Sequence, residues 1–262
     1  MKKIAKYFSL LLVPIIAFSC ARKVTNPNSN KVLQFTLKVK GKMILDNPNI
    51  TYYVVFYAPR TLTPDTTIVD TNIGPRINTP SLTQSNSFLQ GRLPFIDALP
   101  GDQPSKWTDF YYITSVNGRT VVGKGKIDDK GIPIIETRDY QNQNTKPIIT
   151  NNIVSGYQIE IFLESLNANQ ANIDNKQASL VNTVIANVAT SDNIDSGRGD
   201  IYDYWNNNTP FSITTAESQS SGSDITNSPS LKKTPNNPNP TLPFGINPDD
   251  VNITEYYYKV TQ

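Results

Sequence analysis

Apolar and polar residues alternate along several stretches of this chain, which is the pattern of a β-strand with one buried face. The first stretch places an apolar residue or a glycine at every second position: Leu33, Phe35, Leu37, Val39, Gly41, Met43 and Leu45. Gly41 lies on the predicted inward face and favours a bulge or bend there. A turn sequence at 46–49 and an apolar run at 50–57 follow. We expect the second run to be buried on both faces and to pair with the first as a hairpin.

The strongest hairpin signal is Asn117-Gly118, which stands between strand-like runs at 107–116 and 119–127. Both central residues of a type I′ turn need a positive φ, which glycine and asparagine accept most readily. Gly123 and Gly125 have no side chains and leave space above the second strand of this hairpin, so we expect large side chains to lie over it.

The remaining elements are less regular. Further strands are predicted at 66–70, 86–93, 132–137, 157–163, 177–189 and 251–260, with a turn at 128–131 and polar loops at 138–152 and 215–250. The apolar residues within 177–189 have helical spacing, but the β-branched side chains favour a strand. The final strand should return to the main sheet, so we place no domain boundary at the Pro-rich loop before it.

Together these elements predict an all-β fold with little or no helix. The expected architecture is one antiparallel β-sandwich of about seven to nine strands, immunoglobulin-like or transthyretin-like, with long polar loops. This single domain would span residues 32–262 and include the loop 215–250.

The first twenty residues have a different character. Lys2, Lys3 and Lys6 precede an apolar run at 8–18, and Ser19-Cys20 follows the run. A basic start, a short apolar core and small residues at a cleavage point are typical of a secretory signal. The run is shorter than the about 20 apolar residues that span a membrane comfortably.

The sequence Ala17-Phe18-Ser19-Cys20 resembles the lipobox of a bacterial lipoprotein signal peptide. The resemblance implies removal of residues 1–19, diacylation of the Cys20 sulfur and acylation of the new amino terminus. It also implies a protein held by lipid, palmitate for example, in the bacterial cell envelope, on its periplasmic or cell-surface side. The polar segment 20–31 would then carry the lipid and serve as a flexible tether. The alternative is an ordinary secretory signal with a chance cysteine.

Composition excludes several classes of function. The chain has no histidine and one cysteine, Cys20. Histidine-based catalysis and histidine metal sites are therefore excluded, as are thiolate nucleophiles once Cys20 is lipidated. One cysteine forms no internal disulfide, so the fold must rest on core burial. The net charge of +2 and the lack of a basic cluster argue against nucleic-acid binding.

Two loop motifs suggest binding sites. A glycine-containing loop carries four carboxylates that could serve as calcium ligands: Asp192, Asp195, Asp200 and Asp203. Their spacing matches no calcium motif, and Asp and Gly are ordinary loop residues, so we expect no metal and no cofactor. The tripeptide Arg198-Gly199-Asp200 resembles an integrin-binding motif, but such tripeptides also occur by chance.

Aromatic residues cluster at 107–112, 202–205 and 256–258, and exposed members of such clusters can stack on sugar rings. The candidate ligand-binding residues are Trp107, Tyr111 and Trp205. Adjacent residues of a strand point to opposite faces, so about half of these aromatics are expected in the core.

Two pairs of carboxylates, Glu136 with Asp139 and Glu160 with Glu164, resemble what an acid–base hydrolase needs. Nothing in the sequence places either pair in a cleft, and solvated surface is their ordinary role. We therefore expect a non-catalytic, lipid-anchored envelope protein that binds or scaffolds an unidentified partner, such as a glycan or an envelope protein. The alternative is a surface lipoprotein that binds carbohydrate through exposed aromatics.

Overall fold

The structure is a computed structural model that describes residues 31–61, 107–127, 133–140, 145–168, 172–173, 176–192, 201–205, 209–224 and 241–262. Over these residues the chain is all-β, and every pairing between strands is antiparallel, as the alternation pattern predicts. Two sheets of five and seven strands face each other across a common apolar core. The predicted immunoglobulin-like or transthyretin-like topology stays a prediction.

The described strands are β1 (Val32–Val39), β2 (Thr51–Tyr57), β3 (Arg60–Thr61), β4 (Asp109–Val116), β5 (Arg119–Ile127), β6 (Pro133–Thr137), β7 (Lys146–Thr150), β8 (Ile153–Phe162), β9 (Asn172–Ile173), β10 (Lys176–Gln177), β11 (Ser179–Leu180), β12 (Thr183–Ser191), β13 (Ile201–Tyr204), β14 (Phe211–Thr214), β15 (Ser218–Ser223) and β16 (Ile253–Thr261). A 3-10 turn at Leu163–Ser165 follows β8, and a four-residue helix, α1 (Pro248–Val251), precedes β16.

The smaller sheet has the strand order β15-β16-β1-β8-β7. Its central strand β1 buries the alternate residues that the sequence predicts: Leu33, Phe35, Leu37 and Val39. The strand ends at Val39, earlier than predicted, because its register with β16 shifts at that point. Gly41 marks the bend, as predicted: its amide donates to the Asp249 carbonyl at 2.7 Å, and a Cβ there would lie 2.4 Å from Asp250 Oδ1.

The larger sheet has the order β13-β12-β2-β4-β5-β6, with β14 also paired to β12. The strand predicted at 177–189 is confirmed over 183–189, as part of β12, which continues to Ser191, whereas 179–180 form the separate strand β11. All nine residues of β12 are buried. A strand with apolar side chains on both faces has no period of two, and this explains why its sequence also fits helical spacing. The second face of this sheet carries an apolar cluster of its own, which includes Tyr53, Phe110 and Tyr112.

The predicted hairpin between β1 and β2 is wrong, because the two strands lie in opposite sheets. β1 pairs with β8 and β16, whereas β2 pairs with β4 and β12. The segment between them crosses the core: the amide of Met43 donates to the Val154 carbonyl at 2.7 Å, and the amide of Ile44 donates to the Tyr52 hydroxyl at 2.8 Å. The chain therefore passes from the smaller sheet to the larger sheet through the segment that contains the turn at 46–49.

Three other expectations need correction. The predicted loop 138–152 contains β7, and the predicted loop 215–250 contains β15 and α1. Both strands lie at sheet edges and are mostly exposed, so neither shows the alternation of a half-buried strand. The two sheets also hold more described strands than the seven to nine expected. The predicted strands at 66–70 and 86–93 and the turn at 128–131 lie outside the described residues.

Two predictions about chain organisation are confirmed. β16 pairs with β1 from Val32 opposite Thr261 to Val39 opposite Ile253, so the final strand does return to a main sheet. The β4–β5 hairpin turns at Asn117-Gly118, with φ of 52° and 74°. Cβ atoms added to Gly123 and Gly125 would lie 1.9 Å from Tyr112 Cζ and 2.0 Å from Phe110 Cζ, so both glycines lie under rings as predicted.

The turn makes a direct test of this fold. Gly118→Val should destabilise the protein by about 1–3 kcal/mol, because a β-branched residue is strained at positive φ. No atom lies within 4 Å of a Cβ at Gly118, so a clash would add nothing to this cost. Asn117→Gly is the matched control and should be nearly silent. Equal urea midpoints for wild type and Gly118→Val would contradict the turn.

Candidate binding pocket

A pocket of about 140 Å³ lies where the β4–β5 hairpin and β6 meet the turn after β8. It is lined by Thr108, Asp109, Lys124, Lys126, Glu136, Ser165, Asn167 and Ala168. Seven of these eight residues are polar, so the pocket suits a small polar molecule better than an apolar one.

The hairpin register builds one wall of the pocket. Asp109 pairs with Lys126 and Tyr111 with Lys124, so these four side chains share one face of the sheet. β6 adds Glu136, whose Oε1 lies 2.9 Å from Lys126 Nζ and whose Oε2 lies 3.6 Å from Lys124 Nζ. One carboxylate is thus shared by two ammonium groups.

Asp109 is the buried acid of the pocket, with 2 % of its surface exposed. Its Oδ2 accepts hydrogen bonds from the Thr108 hydroxyl at 2.7 Å and from the backbone amide of Asn167 at 2.8 Å. Burial raises the pKa of this carboxyl to about 6, although the two hydrogen bonds and the Lys124 ammonium favour the charged form and oppose the rise. Asp109 therefore changes charge near neutral pH.

Lys124 holds its ammonium in a weakly bonded position. Its side chain is 13 % exposed, and Nζ lies 3.4 Å from the Ser165 carbonyl and 3.6 Å from Glu136 Oε2. The same nitrogen lies 5.9 Å from the centre of the Tyr111 ring, within range of a cation–π attraction. A shielded cation whose oxygen contacts are long favours the approach of a further acceptor.

Arg60 fixes the opposite wall. Its buried guanidinium donates to the carbonyls of Leu166 at 2.9 and 3.1 Å, Glu164 at 2.6 Å and Ala178 at 3.2 Å. Asn167 adds a bond from Nδ2 to the Ala58 carbonyl at 2.9 Å. These bonds hold the turn 163–168 in the position where Ser165 and Asn167 face the hairpin.

The three predicted ligand-binding aromatics lie inside the protein. Trp107, Tyr111 and Trp205 expose 2 %, 0 % and 5 % of their surface, so none of them offers a flat face to a sugar ring. Trp205 packs edge-on against Tyr256 with ring centroids 4.7 Å apart. Tyr111 contacts residues of the pocket: its ring lies 5.9 Å from Lys124 Nζ, and its hydroxyl lies 3.4 Å from Ser165 Oγ.

The candidate calcium carboxylates are only partly described. Asp192 and Asp203 are both buried, and Asp203 Oδ2 accepts a hydrogen bond from the Ile253 amide at 2.8 Å, which joins β13 to β16. Among the described residues no group of three or more possible ligands could hold a metal ion. Asp195, the tripeptide at 198–200 and Cys20, the predicted site of lipid attachment, lie outside the described residues.

The predicted carboxylate pairs lie in different surroundings. Glu136 and Asp139 are both exposed, and Glu136 belongs to the lysine pair described above. Glu164 lies in the 3-10 turn, and its Oε2 is 3.6 Å from Arg60 Nη1. Glu160, expected on solvated surface, is buried with 7 % exposure.

The sequence contained an unused signal for this pocket. A two-residue turn at Asn117-Gly118 pairs residue 116 with 119, and counting back pairs 109 with 126. That register alone places a strand carboxylate, Asp109, opposite Lys126 on the face that also carries Lys124. Arg60 and the turn 163–168 gave no comparable signal, since their contacts join segments about 100 residues apart.

Comparison with protein-family models, with curated proteins and with solved structures finds no match to this chain.

Asp109 should make stability depend on pH. Because its folded-state pKa is raised from 3.8 to about 6, the neutral carboxyl favours folding, fully so below pH 4, and this contribution is lost as pH rises through 6. This difference in pKa between the folded and unfolded states corresponds to a change in the free energy of unfolding on the order of 3 kcal/mol. Asp109→Asn keeps a hydrogen-bond acceptor but carries no charge. In urea melts, the free energy of unfolding of this variant relative to that of wild type should therefore rise by about this amount between pH 4 and pH 8. An equal difference between the two proteins at both pH values would contradict the prediction that Asp109 is a buried acid.

Arg60→Lys should destabilise the protein by about 1–3 kcal/mol, because one ammonium cannot reach the carbonyls of Leu166, Glu164 and Ala178 together. Lys38→Gln is the control, since it breaks an exposed ion pair with Glu255 that is expected to contribute less than about 1 kcal/mol. Urea melts measure both, and similar losses would mean that Arg60 does not hold the turn.

Proposed function

We propose that this chain is a lipid-anchored protein of the bacterial cell envelope whose β domain binds or scaffolds a ligand without changing it chemically. The anchor is Cys20, and the candidate binding site is the polar pocket between the β4–β5 hairpin and the turn 163–168.

The leader supports the anchor. The lysine-rich start, the apolar run at 8–18 and Ser19-Cys20 are the parts of a lipoprotein signal. Within the described residues, no helix is long and apolar enough to cross a membrane.

The pocket carries the binding proposal. Its walls come from a hairpin with a fixed register and from a turn that the Arg60 guanidinium holds at two carbonyls, those of Glu164 and Leu166. Polar groups held on rigid elements before the ligand arrives are what a binding site requires, since less ordering entropy is lost on binding.

A hydrolase that uses two carboxylates is a poorer fit to the same pocket. Its two acids are Asp109 and Glu136, and both are already engaged. Asp109 Oδ2 accepts two hydrogen bonds, and each Glu136 oxygen faces a lysine. A general acid must reach the leaving group, whereas Asp109 is 2 % exposed. Carbohydrate binding through aromatics is also disfavoured, because Trp107, Tyr111 and Trp205 are interior.

The anchor is tested by Cys20→Ala, with Ser9→Ala in the apolar run as the control. Wild type and Ser9→Ala should incorporate labelled palmitate and partition with membranes, whereas Cys20→Ala should do neither. One acyl chain binds membranes only marginally, so firm partition requires the several chains of a lipoprotein. Membrane partition of Cys20→Ala, or absence of label in wild type, would contradict the lipoprotein proposal.

A further inference from the structure

We propose that the outer edge of β15 docks a second envelope protein, which adds an extended segment to the smaller sheet as a further strand. The segment has free backbone amides and a large side chain at every second position. The inference rests on the proposed binding or scaffolding role and adds a surface and the chemical class of its partner.

β15 leaves one side of its backbone open. It is the outermost strand of the smaller sheet and pairs, among the described strands, with β16 alone. Asp224 lies opposite Thr254 in the same register, and its amide donates to that carbonyl at 2.7 Å. Hydrogen-bonded pairs alternate in an antiparallel ladder, so the backbone groups of Gln219, Ser221 and Ser223 point away from β16. All three residues are exposed.

The other outer strands of the two sheets carry features that hinder the addition of a strand. β7 contains Pro147 and a register shift after Ile148, and β6 begins at Pro133 and shifts its register with β5. β13 and β14 have four residues each. β15 has six residues without proline, lysine or a register shift, so it has none of the usual protection of an edge strand.

The side chains beside this edge favour a partner segment with large residues. Ser221 lies opposite Tyr257, which is 39 % exposed, and the Tyr257 hydroxyl donates to Gln219 Oε1 at 3.3 Å. Neighbouring strands are about 4.8 Å apart, so a residue added opposite Ser221 is separated from Tyr257 by one small side chain. An isoleucine or tyrosine at that place reaches over Ser221 and covers the Tyr257 ring.

Two other occupants fit less well. A second copy would place serine, glutamine and glycine against β15 and leave Tyr257 uncovered, and two such strands bury much less than the about 1,200 Å² of a specific interface. The segment 225–240 of this chain contains four prolines, which lack the amide that a ladder needs. A partner anchored in the same membrane needs less contact area, because shared confinement raises its effective concentration.

The edge lies apart from the polar pocket. A Cβ added to Gly222 would lie 2.9 Å from Trp205, so β15 faces the end of β13 across the core. β13 and β6 stand at opposite margins of the larger sheet, and the pocket is at the β6 margin. The two sites can therefore be tested separately.

The test is hydrogen exchange by residue-resolved mass spectrometry on the full-length protein in detergent. The probe is a short fluorescent peptide in which valine and tyrosine alternate with threonine, and the same peptide with prolines at its centre is the control. In the free protein the amides of Gln219, Ser221 and Ser223 should exchange faster than those of Ser220 and Gly222, which face β16. Saturating probe should slow the three outward amides at least about tenfold, and the proline peptide should not.

Variants locate the contact, with binding measured by the fluorescence anisotropy of the peptide. Ser221→Pro should weaken binding at least about tenfold, because it removes an outward amide and places the proline ring against the added strand, while the ladder to β16 does not use this amide. Ser221→Ala keeps the amide and should bind as wild type does. Gln219→Pro acts in the same way and serves if urea melts show that Ser221→Pro does not fold.

Absence of probe binding by wild type, or equal binding by Ser221→Pro and Ser221→Ala, would overturn the proposal. So would slowed exchange at Lys146–Thr150 of β7 in place of β15. Slow exchange of the outward amides in the free protein would also overturn it: protection lost on dilution identifies a second copy as the occupant, and protection that survives dilution identifies another segment of this chain. None of these results affects the membrane partition of Cys20→Ala, so failure of this inference is distinguishable from failure of the lipoprotein proposal.

Discussion

The register of the β4–β5 hairpin is the constraint on which the candidate site depends. Asn117 and Gly118 at positive φ close the strands with a two-residue turn, and this closure fixes every pair along them. A slip of one residue would exchange the two faces of a strand. Lys124 and Lys126 would then leave the pocket, and Gly123 and Gly125 would no longer lie beneath Tyr112 and Phe110.

The same alternation lets one strand serve a core and a pocket. On one face of β5, glycines accept the rings of Phe110 and Tyr112, and on the other face lysines meet Asp109 and Glu136. Charged groups are tolerated there because they pair with one another and because Lys124, Lys126 and Glu136 stay partly solvated, whereas the central strands β2 and β12 are almost wholly buried. A polar site is therefore possible at the lateral edge of the sandwich but not over its buried central strands.

Sequence reasoning succeeded where the signal was local. The alternation in β1, the Asn-Gly turn and the glycines under aromatic rings all follow from neighbouring residues. It failed where distant contacts decide the outcome. Nothing near 46–49 distinguishes a hairpin from a crossing between sheets, and the exposed edge strands β7 and β15 need a neighbouring strand to become regular. Arg60 meets carbonyls over 100 residues away, so the turn that completes the pocket could not be read from the sequence.

The account holds that the hairpin register and the turn 163–168 together bury the carboxyl of Asp109 inside the polar pocket. The most direct measurement is an NMR titration of its side-chain carboxyl carbon. The account predicts a midpoint near the pKa of about 6. A midpoint near the ordinary aspartate value would contradict it.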